Sequence, residues 1–413
     1  MLRGIVAASC PLLYLRLQNS SMKNTLVSFD NTEVAFSGKS DADLRRAYWL
    51  FKLIGINFLV KISPAFLDAA LALHLPVKGL IRATAFRHFC GGESVDDCEL
   101  AIEKLAKYNI GAILDYSVEG KESEEDFEHS LQETLATIHH AKTDKRIPFT
   151  VFKVTGFARM ALLEKVNAKE TLSTDEAMEF ERVRNRVLTI CRTGFENRVP
   201  IYIDAEDFSI QDVIDELATD MMSRFNKDNV VVYNTLQMYR TDRLDYLKEA
   251  YRRARENNYK LGVKIVRGAY MERERKRAAA LGIPSPIHAD KASSDKAYDD
   301  AIRFCVEHID GVAICAGTHN EKSSLLLTEL MQEKNIPHNH PHIWFSQLLG
   351  MSDHISYNLS TLGYNVSKYV PYGPVTSVLP YLIRRAQENT SVSGQTSREL
   401  SLIIQEMKRR KGS

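Results

Sequence analysis

The chain contains no stretch approaching the roughly 20 consecutive apolar residues that a membrane-spanning helix needs. Its most apolar region, residues 47–75, is broken by Lys52, Lys61 and Pro64, which suits buried or interfacial helices. Cysteine is sparse and unpaired: Cys10, Cys90, Cys98, Cys191, Cys305 and Cys315 show no C-x-x-C spacing. That scatter argues against a disulfide framework or a cysteine-built zinc site and suits a reducing compartment. Charge of either sign is not in excess. The formal net charge is +1, so no overall field draws nucleic acid or an anionic membrane, and no DNA-binding module is recognisable. A G-x-G-x-x-G after a strand is missing, as are a P-loop, H-E-x-x-H and G-x-S-x-G, so the motif-borne nucleotide, zinc-protease and serine-hydrolase sites are not indicated. His338, His340 and His342 alternate in PHNHPH but precede a strand instead of following one, and no metal is expected there.

What the sequence does contain is a rhythm. From residue 110 onward, short apolar runs alternate with helical stretches: 110–116 (IGAILDY), 149–154 (FTVFKV), 199–203 (VPIYI), 229–233 (NVVVY), 262–266 (GVKIV), 311–315 (GVAIC), 343–348 (IWFSQL) and 367–370 (SKYV). Their continuous apolar character is what parallel strands covered on both faces require. Between them, Ser173 and Glu176 form a capping-box pattern ahead of the helical stripe Phe180, Val183, Val187 and Cys191. Eight such units predict an α/β fold, a closed (β/α)8 TIM-like barrel, over an open doubly wound sheet. The expected organisation is an N-terminal helical arm over 1–109, a barrel over 110–395 and a C-terminal helical tail over 396–413. Residues 1–29 carry Arg3, Arg16 and Lys23 with no acid before Asp30, a composition that suits either a disordered or targeting segment or an upstream start with Met22 as the true first residue.

In such a barrel, function belongs where strands run into their following loops. Those positions hold Asp115 with Glu119, Lys153, Asp204, Gln237, Arg267 to Tyr270, Thr318 to Asn320, and Tyr369. Each has a bland alternative. Lys153 follows a buried-looking run and needs an anionic partner, which a structural ion pair would supply. Asp204 suits a helix N-cap, and Gln237 suits a bond to loop backbone. Arg384 and Arg385 lie on an amphipathic helix about 100° apart, so one can face the barrel mouth, where a guanidinium fork suits a carboxylate. Residue chemistry thus reaches a barrel enzyme with a cationic pocket for a small carboxylate. It does not reach a flavin.

The spaced motifs go further. VKIVRGAYMERER (263–275), YIDAED (202–207), GTHN (317–320), FSQLLGM (345–351) and KYVPYGPVTSVLPYLIRRAQEN (368–389) closely resemble the proline dehydrogenase family. LDYSVEG (114–120), FKVTGFAR (152–159) and, in the arm, FRHFCGGE extend the likeness. The resemblance implies non-covalent FAD and oxidation of L-proline to 1-pyrroline-5-carboxylate by hydride transfer to that flavin. By the family pattern, Asp204 and Lys264 are the catalytic positions, with Lys264 nearest the flavin redox atoms. Lys153, Arg384 and Arg385 clamp the proline carboxylate, Glu119 pairs with Arg384 as a gate, and Tyr270, Leu348, Tyr369 and Tyr381 wall the ring. Asp204, Ala205, Gln237, Lys264, Arg267, Gly268, Ala269, Thr318 and His319 hold the flavin. Lys264 and Leu349 stand where many bacterial members have arginine and histidine, and so look more like mitochondrial and stand-alone bacterial forms. The family further implies electron transfer to a membrane quinone through peripheral membrane contact, and a separate pyrroline-5-carboxylate dehydrogenase. The expected setting is a bacterial cytoplasm beside the inner membrane, with the mitochondrion as the alternative. Rival readings are 4-hydroxyproline as substrate and a non-catalytic imino-acid or flavin binder.

Overall fold

The structure, a computed structural model of the chain, describes residues 27–54, 79, 81–118, 122–391 and 395–412. Most of residues 1–29, the greater part of the apolar region 47–75, and Glu119 lie outside the described residues. Eight parallel strands close into a barrel in sequence order: β1 (Ile110–Tyr116), β2 (Phe149–Phe152), β3 (Ile201–Ile203), β4 (Val232–Gln237), β5 (Leu261–Val266), β6 (Val312–Gly317), β7 (Ile343–Leu348) and β8 (Val366–Tyr372). Closure runs through β1 and β8, whose register sets Ile113 opposite Tyr369 and Asp115 opposite Pro371.

One strand sits later than its apolar run predicts. β4 extends through Asn234 and Thr235 to Gln237, and the Asn234 amide is held inside the packing, its Nδ2 donating to Asp215 Oδ1 at 2.8 Å. A buried polar side chain with a partner does not end a strand, and the hydropathy pattern alone could not show that partner.

The helices used below are α1 (Asp41–Ile54), α2 (Glu99–Ala106), α3 (Glu124–Thr143), α4 (Met160–Asn167), α5 (Thr174–Asn197), α6 (Phe208–Phe225), α7 (Arg243–Glu256), α8 (Met271–Leu281), α9 (Lys291–Glu307), α10 (Glu321–Glu333), α11 (Asp353–Thr361), α12 (Leu379–Ser391) and α13 (Gln395–Gly412). Their starts follow from local chemistry. Ser123 caps α3 ahead of the acids Glu124, Glu125 and Asp126, which complement the helix dipole. Ser173 and Glu176 form a reciprocal capping box at α5. Asp207, not Asp204, caps α6, which leaves Asp204 for another purpose.

Two packing regions matter for the site. Inside the barrel, Phe149, Tyr202 and Tyr369 form a column: Phe149 stacks on Tyr202 at 4.5 Å, and Tyr202 lies parallel to Tyr369 at 6.4 Å. Outside it, the two ends of the chain meet, Phe36, Leu44 and Phe51 of the arm packing with Leu402 and Ile403 of α13. Beneath that contact Asp353 Oδ1 accepts from Lys368 Nζ at 2.5 Å, and its Oδ2 lies 2.8 Å from Lys39 Nζ. No helix among the described residues is long and apolar enough to cross a membrane.

Candidate active site

Alternation along each strand aims every second side chain inward, and the inward positions near the C-terminal rim carry the charge. Lys153, one residue past β2, lies 3.2 Å from Asp115 Oδ1 and 3.2 Å from Asp204 Oδ2. Lys264, inside β5, donates to Asp204 Oδ1 and to the Tyr369 hydroxyl. That hydroxyl lies 3.4 Å from Asp204 Oδ1 and donates to it. Asp115 also accepts from Ser117 Oγ at 2.8 Å. Two lysines and two aspartates thus form one continuous array. Burying any of these ions unpaired would be strongly unfavourable, and here each has an opposite charge in contact.

The array also sets protonation. Burial works to raise the Asp204 pKa, but the charges of Lys264 and Lys153 outweigh it and hold the carboxyl below its usual range. Burial, reinforced by Asp204, pushes the Tyr369 phenol well above its ordinary value. Carboxylate and phenol therefore stay in fixed charge states through neutral pH, and the hydrogen bonds among them keep one direction.

The expected cofactor residues lie at the ends of β3, β4, β5 and β6 and in the loops that follow. Ala205 follows Asp204 directly and is buried. Gln237 donates from its side chain to the Glu206 carbonyl at 2.6 Å, so the bland expectation for it, a bond to loop backbone, holds for one end of its amide. Arg267 reaches Asp295 at 2.7 Å, Thr318 Oγ1 at 2.8 Å and Ser323 Oγ at 2.9 Å, which fastens β5 to α9 and α10. Gly268 adopts φ +127°, and a Cβ there would lie 1.5 Å from the Tyr239 ring. Only glycine fits, and it and Ala269 are exposed after β5. His319 Nδ1 lies 3.0 Å from Ser352 Oγ. Burial and the nearby cations Lys368 and Arg385 draw the His319 pKa down to about 3, so the ring is neutral.

The expected substrate-wall residues lie on β7, β8 and α12 and at the residue before α8. Leu348 packs against both the cluster containing Tyr369 and the cluster containing Tyr381. Arg385 is buried, its guanidinium 5.0 Å over the Tyr381 ring, and Arg384 is half-buried on the same helix. Tyr270 stacks under Arg273 at 4.9 Å. Glu119 lies outside the described residues.

Three residues that matter here escape a reading of the sequence. Tyr202 lies beneath Lys264, whose ammonium is 5.4 Å from its ring, yet in YIDAED it reads as an ordinary strand residue. Glu206 accepts from Thr155 N at 3.0 Å and Thr155 Oγ1 at 2.5 Å, tying the second and third loops together. Ser352 carries no signal beyond its place after Gly350.

A family model described as proline dehydrogenase matches residues 98–398. Proline dehydrogenase 1, mitochondrial, of Dictyostelium discoideum is 31% identical over 437 residues, covering 95% of this chain and 76% of that protein. Hydroxyproline dehydrogenase of Xenopus laevis is 29% identical over 413 residues, covering 91% of this chain and 88% of that protein. The crystal structure of proline utilization A (PutA) from Bdellovibrio bacteriovorus superposes with a TM-score of 0.69 at 20% identity. It covers 92% of this chain, which spans only 41% of that longer one, and at such identity the likeness concerns the fold.

Proposed function

The chain belongs to the proline dehydrogenase family, and we propose that its barrel mouth oxidises L-proline to 1-pyrroline-5-carboxylate with FAD as first electron acceptor. The observation that carries this reading is the Asp115–Lys153–Asp204–Lys264–Tyr369 array, drawn from five strands of the barrel. The donor set suits a flavin: a fixed ammonium at Lys264, exposed residues Gly268 and Ala269, and polar groups on Gln237, Thr318 and His319. Bound FAD would supply two-electron redox chemistry that no protein side chain offers. Asp204, Ala205, Gln237, Lys264, Arg267, Gly268, Ala269, Thr318 and His319 would hold it.

The chain's own residues do the rest. Lys153, Arg384 and Arg385 bind the substrate carboxylate, fixing the ring so that a bimolecular step becomes an oriented one. Glu119 acts as a gate with Arg384. Tyr270, Leu348, Tyr369 and Tyr381 exclude water around the pyrrolidine. Lys264 keeps positive charge beside the acceptor, held there by Asp204 and Tyr369, where preorganised charge is most effective. Electrons pass onward to a membrane quinone during peripheral membrane contact, and a separate pyrroline-5-carboxylate dehydrogenase takes the product. Relatives named mitochondrial support the mitochondrion as the compartment, and the bacterial inner membrane draws no comparable support. The purified protein should be yellow, release FAD on denaturation, and bleach when L-proline is added anaerobically. A folded protein that stays colourless and inert after adding FAD defeats the reading.

The likeness to a hydroxyproline dehydrogenase makes 4-hydroxyproline the second reading, and Tyr369 separates the two. Tyr369→Ser should weaken proline by about 1–3 kcal/mol, the usual scale for small apolar differences in a pocket, while the space and hydroxyl accept a ring substituent. The ratio of kcat/KM for the two substrates should therefore shift toward 4-hydroxyproline. Were both values to fall together at a fixed ratio, Tyr369 would not face the substituent.

A further inference from the structure

The loop after β6, Gly317 to Asn320, carries two of the expected flavin contacts, Thr318 and His319, and is gripped from the tail. Arg398 Nε on α13 donates to Glu321 Oε1 at 2.8 Å, and Glu321 is the first residue of α10, directly after the loop. The same arginine reaches Asp30 of the arm at 2.7 Å. Its neighbour Glu399 accepts from the backbone N–H of Ser352, and the hydroxyl of Ser352 meets His319 Nδ1 at 3.0 Å. Two adjacent residues of α13 therefore hold both sides of one loop.

Ser352 is the joint of this connection. It is 1% exposed and adopts φ +51°, ψ 43°, a left-handed conformation disfavoured for a residue with a side chain. Its N–H is turned to Glu399 and its Oγ to His319, so one residue carries both contacts. Glu399 is itself 3% exposed, and the charges of Lys39 and Lys368 act on it. The family match ends at residue 398, one residue short of Glu399.

We propose that Glu399 is a positioning residue for the flavin site, acting through Ser352 on the orientation of His319. The inference rests on the reading of His319 as a flavin contact. A buried N–H left without its acceptor is costly, and Ser352 then leaves its strained conformation and releases the imidazole. Fraying of the tail thereby becomes loss of cofactor affinity at a loop more than 75 residues earlier in the chain.

The test measures the FAD dissociation constant of full-length protein, by titrating the stripped apoprotein with FAD and following flavin fluorescence, alongside the apoprotein's thermal melt. Glu399→Ala should raise the constant about ten-fold or more, the loss of one hydrogen bond to a charged group. Glu399→Gln keeps an acceptor for the Ser352 N–H and should stay within about three-fold, since it preserves the bond that matters. Ser352→Gly keeps the N–H, loses the hydroxyl, and should match Glu399→Ala even if its own melt rises. The double variant should be no weaker than the weaker single, as for two members of one chain of contacts. His319→Ala serves as the reference. If it loosens FAD while Glu399→Ala and Ser352→Gly bind as wild type, the connection is overturned. If Glu399→Gln is as damaging as alanine, charge and not the accepted bond is at work, and the route through Ser352 is wrong. If His319→Ala binds FAD normally, the premise about His319 itself has failed.

Discussion

Lys264→Met is expected to lower kcat by about 10²–10³-fold, the range found when one preorganised electrostatic contact to a developing charge is removed, with proline KM nearly unchanged. The Lys264 ammonium is buried, bonded to Asp204 and Tyr369, and 4.5 Å from the Tyr369 ring, so its charge cannot swing to solvent. A bound flavin would gain negative charge as it took up the substrate's electrons, and a cation fixed beforehand would stabilise that charge without reorganising. Methionine fills a similar volume, and Asp204 retains Lys153 at 3.2 Å, so the fold should persist and the defect should be in rate. A second readout follows from charge linkage. Lys264 is the largest charge holding Asp204 ionised against burial. Removing it raises the Asp204 pKa, so the acid limb of the kcat/KM profile should move to higher pH. A variant with kcat within ten-fold of wild type and an unmoved acid limb would show that Lys264 is a structural ion.

Much of this site was legible because a barrel enforces a rule about place. Polar residues at the ends of apolar runs, Asp115, Lys153, Asp204 and Tyr369, were visible as site candidates before any geometry. Their pairing was not. Lys264 and Asp204 are 60 residues apart, and a strand pattern reports which face a residue takes, not which neighbour closure brings to it. Lys264 itself lies mid-strand in GVKIV, where only the family likeness marked it. The hydropathy pattern starts β4 three residues early because Asn234 and Thr235 look like the end of a run, and the bond from Asn234 Nδ2 to Asp215 has no local signature. Ser352 and Glu399 were silent for a different reason. The contact between them exists only once α13 has docked beside the start of α11, and docking between distant helices leaves no local periodicity to read.

Asp353→Ala should destabilise the protein by about 3–5 kcal/mol, the cost of removing one partner from a buried ion pair. For a chain of this size that is a fall of about 4–6 °C in Tm on average unfolding entropies. Lys368 is fully buried; its remaining hydrogen bonds go to carbonyl oxygens of Leu348, 3.4 Å away, and Met351, 2.6 Å away, and the charge of Glu399, which also acts on it, is engaged by the Ser352 N–H. Lys39, at the edge, loses its partner too but can turn toward water. The pH dependence has a definite sign. Burial opposes ionisation of Asp353, yet Lys368 and Lys39 hold its carboxyl well below the usual range, so its stabilisation is full above about pH 4, the unfolded value, and is lost as pH falls through the folded pKa. Burial lowers the Lys368 pKa even in the intact protein, and without Asp353 it falls further, so the variant binds fewer protons folded than unfolded and gains stability as pH rises. The Tm gap between variant and wild type should therefore be widest near neutrality and narrow toward both acid and alkaline pH. Replacing both partners, Asp353→Leu with Lys368→Met, should recover most of the loss, because a well-packed apolar pair avoids the desolvation that the ions incur. A single variant melting within 1 °C of wild type on the scale above, or a double variant no better than the single, would mean that packing of α11, and not this charge, holds the arm and tail to the barrel.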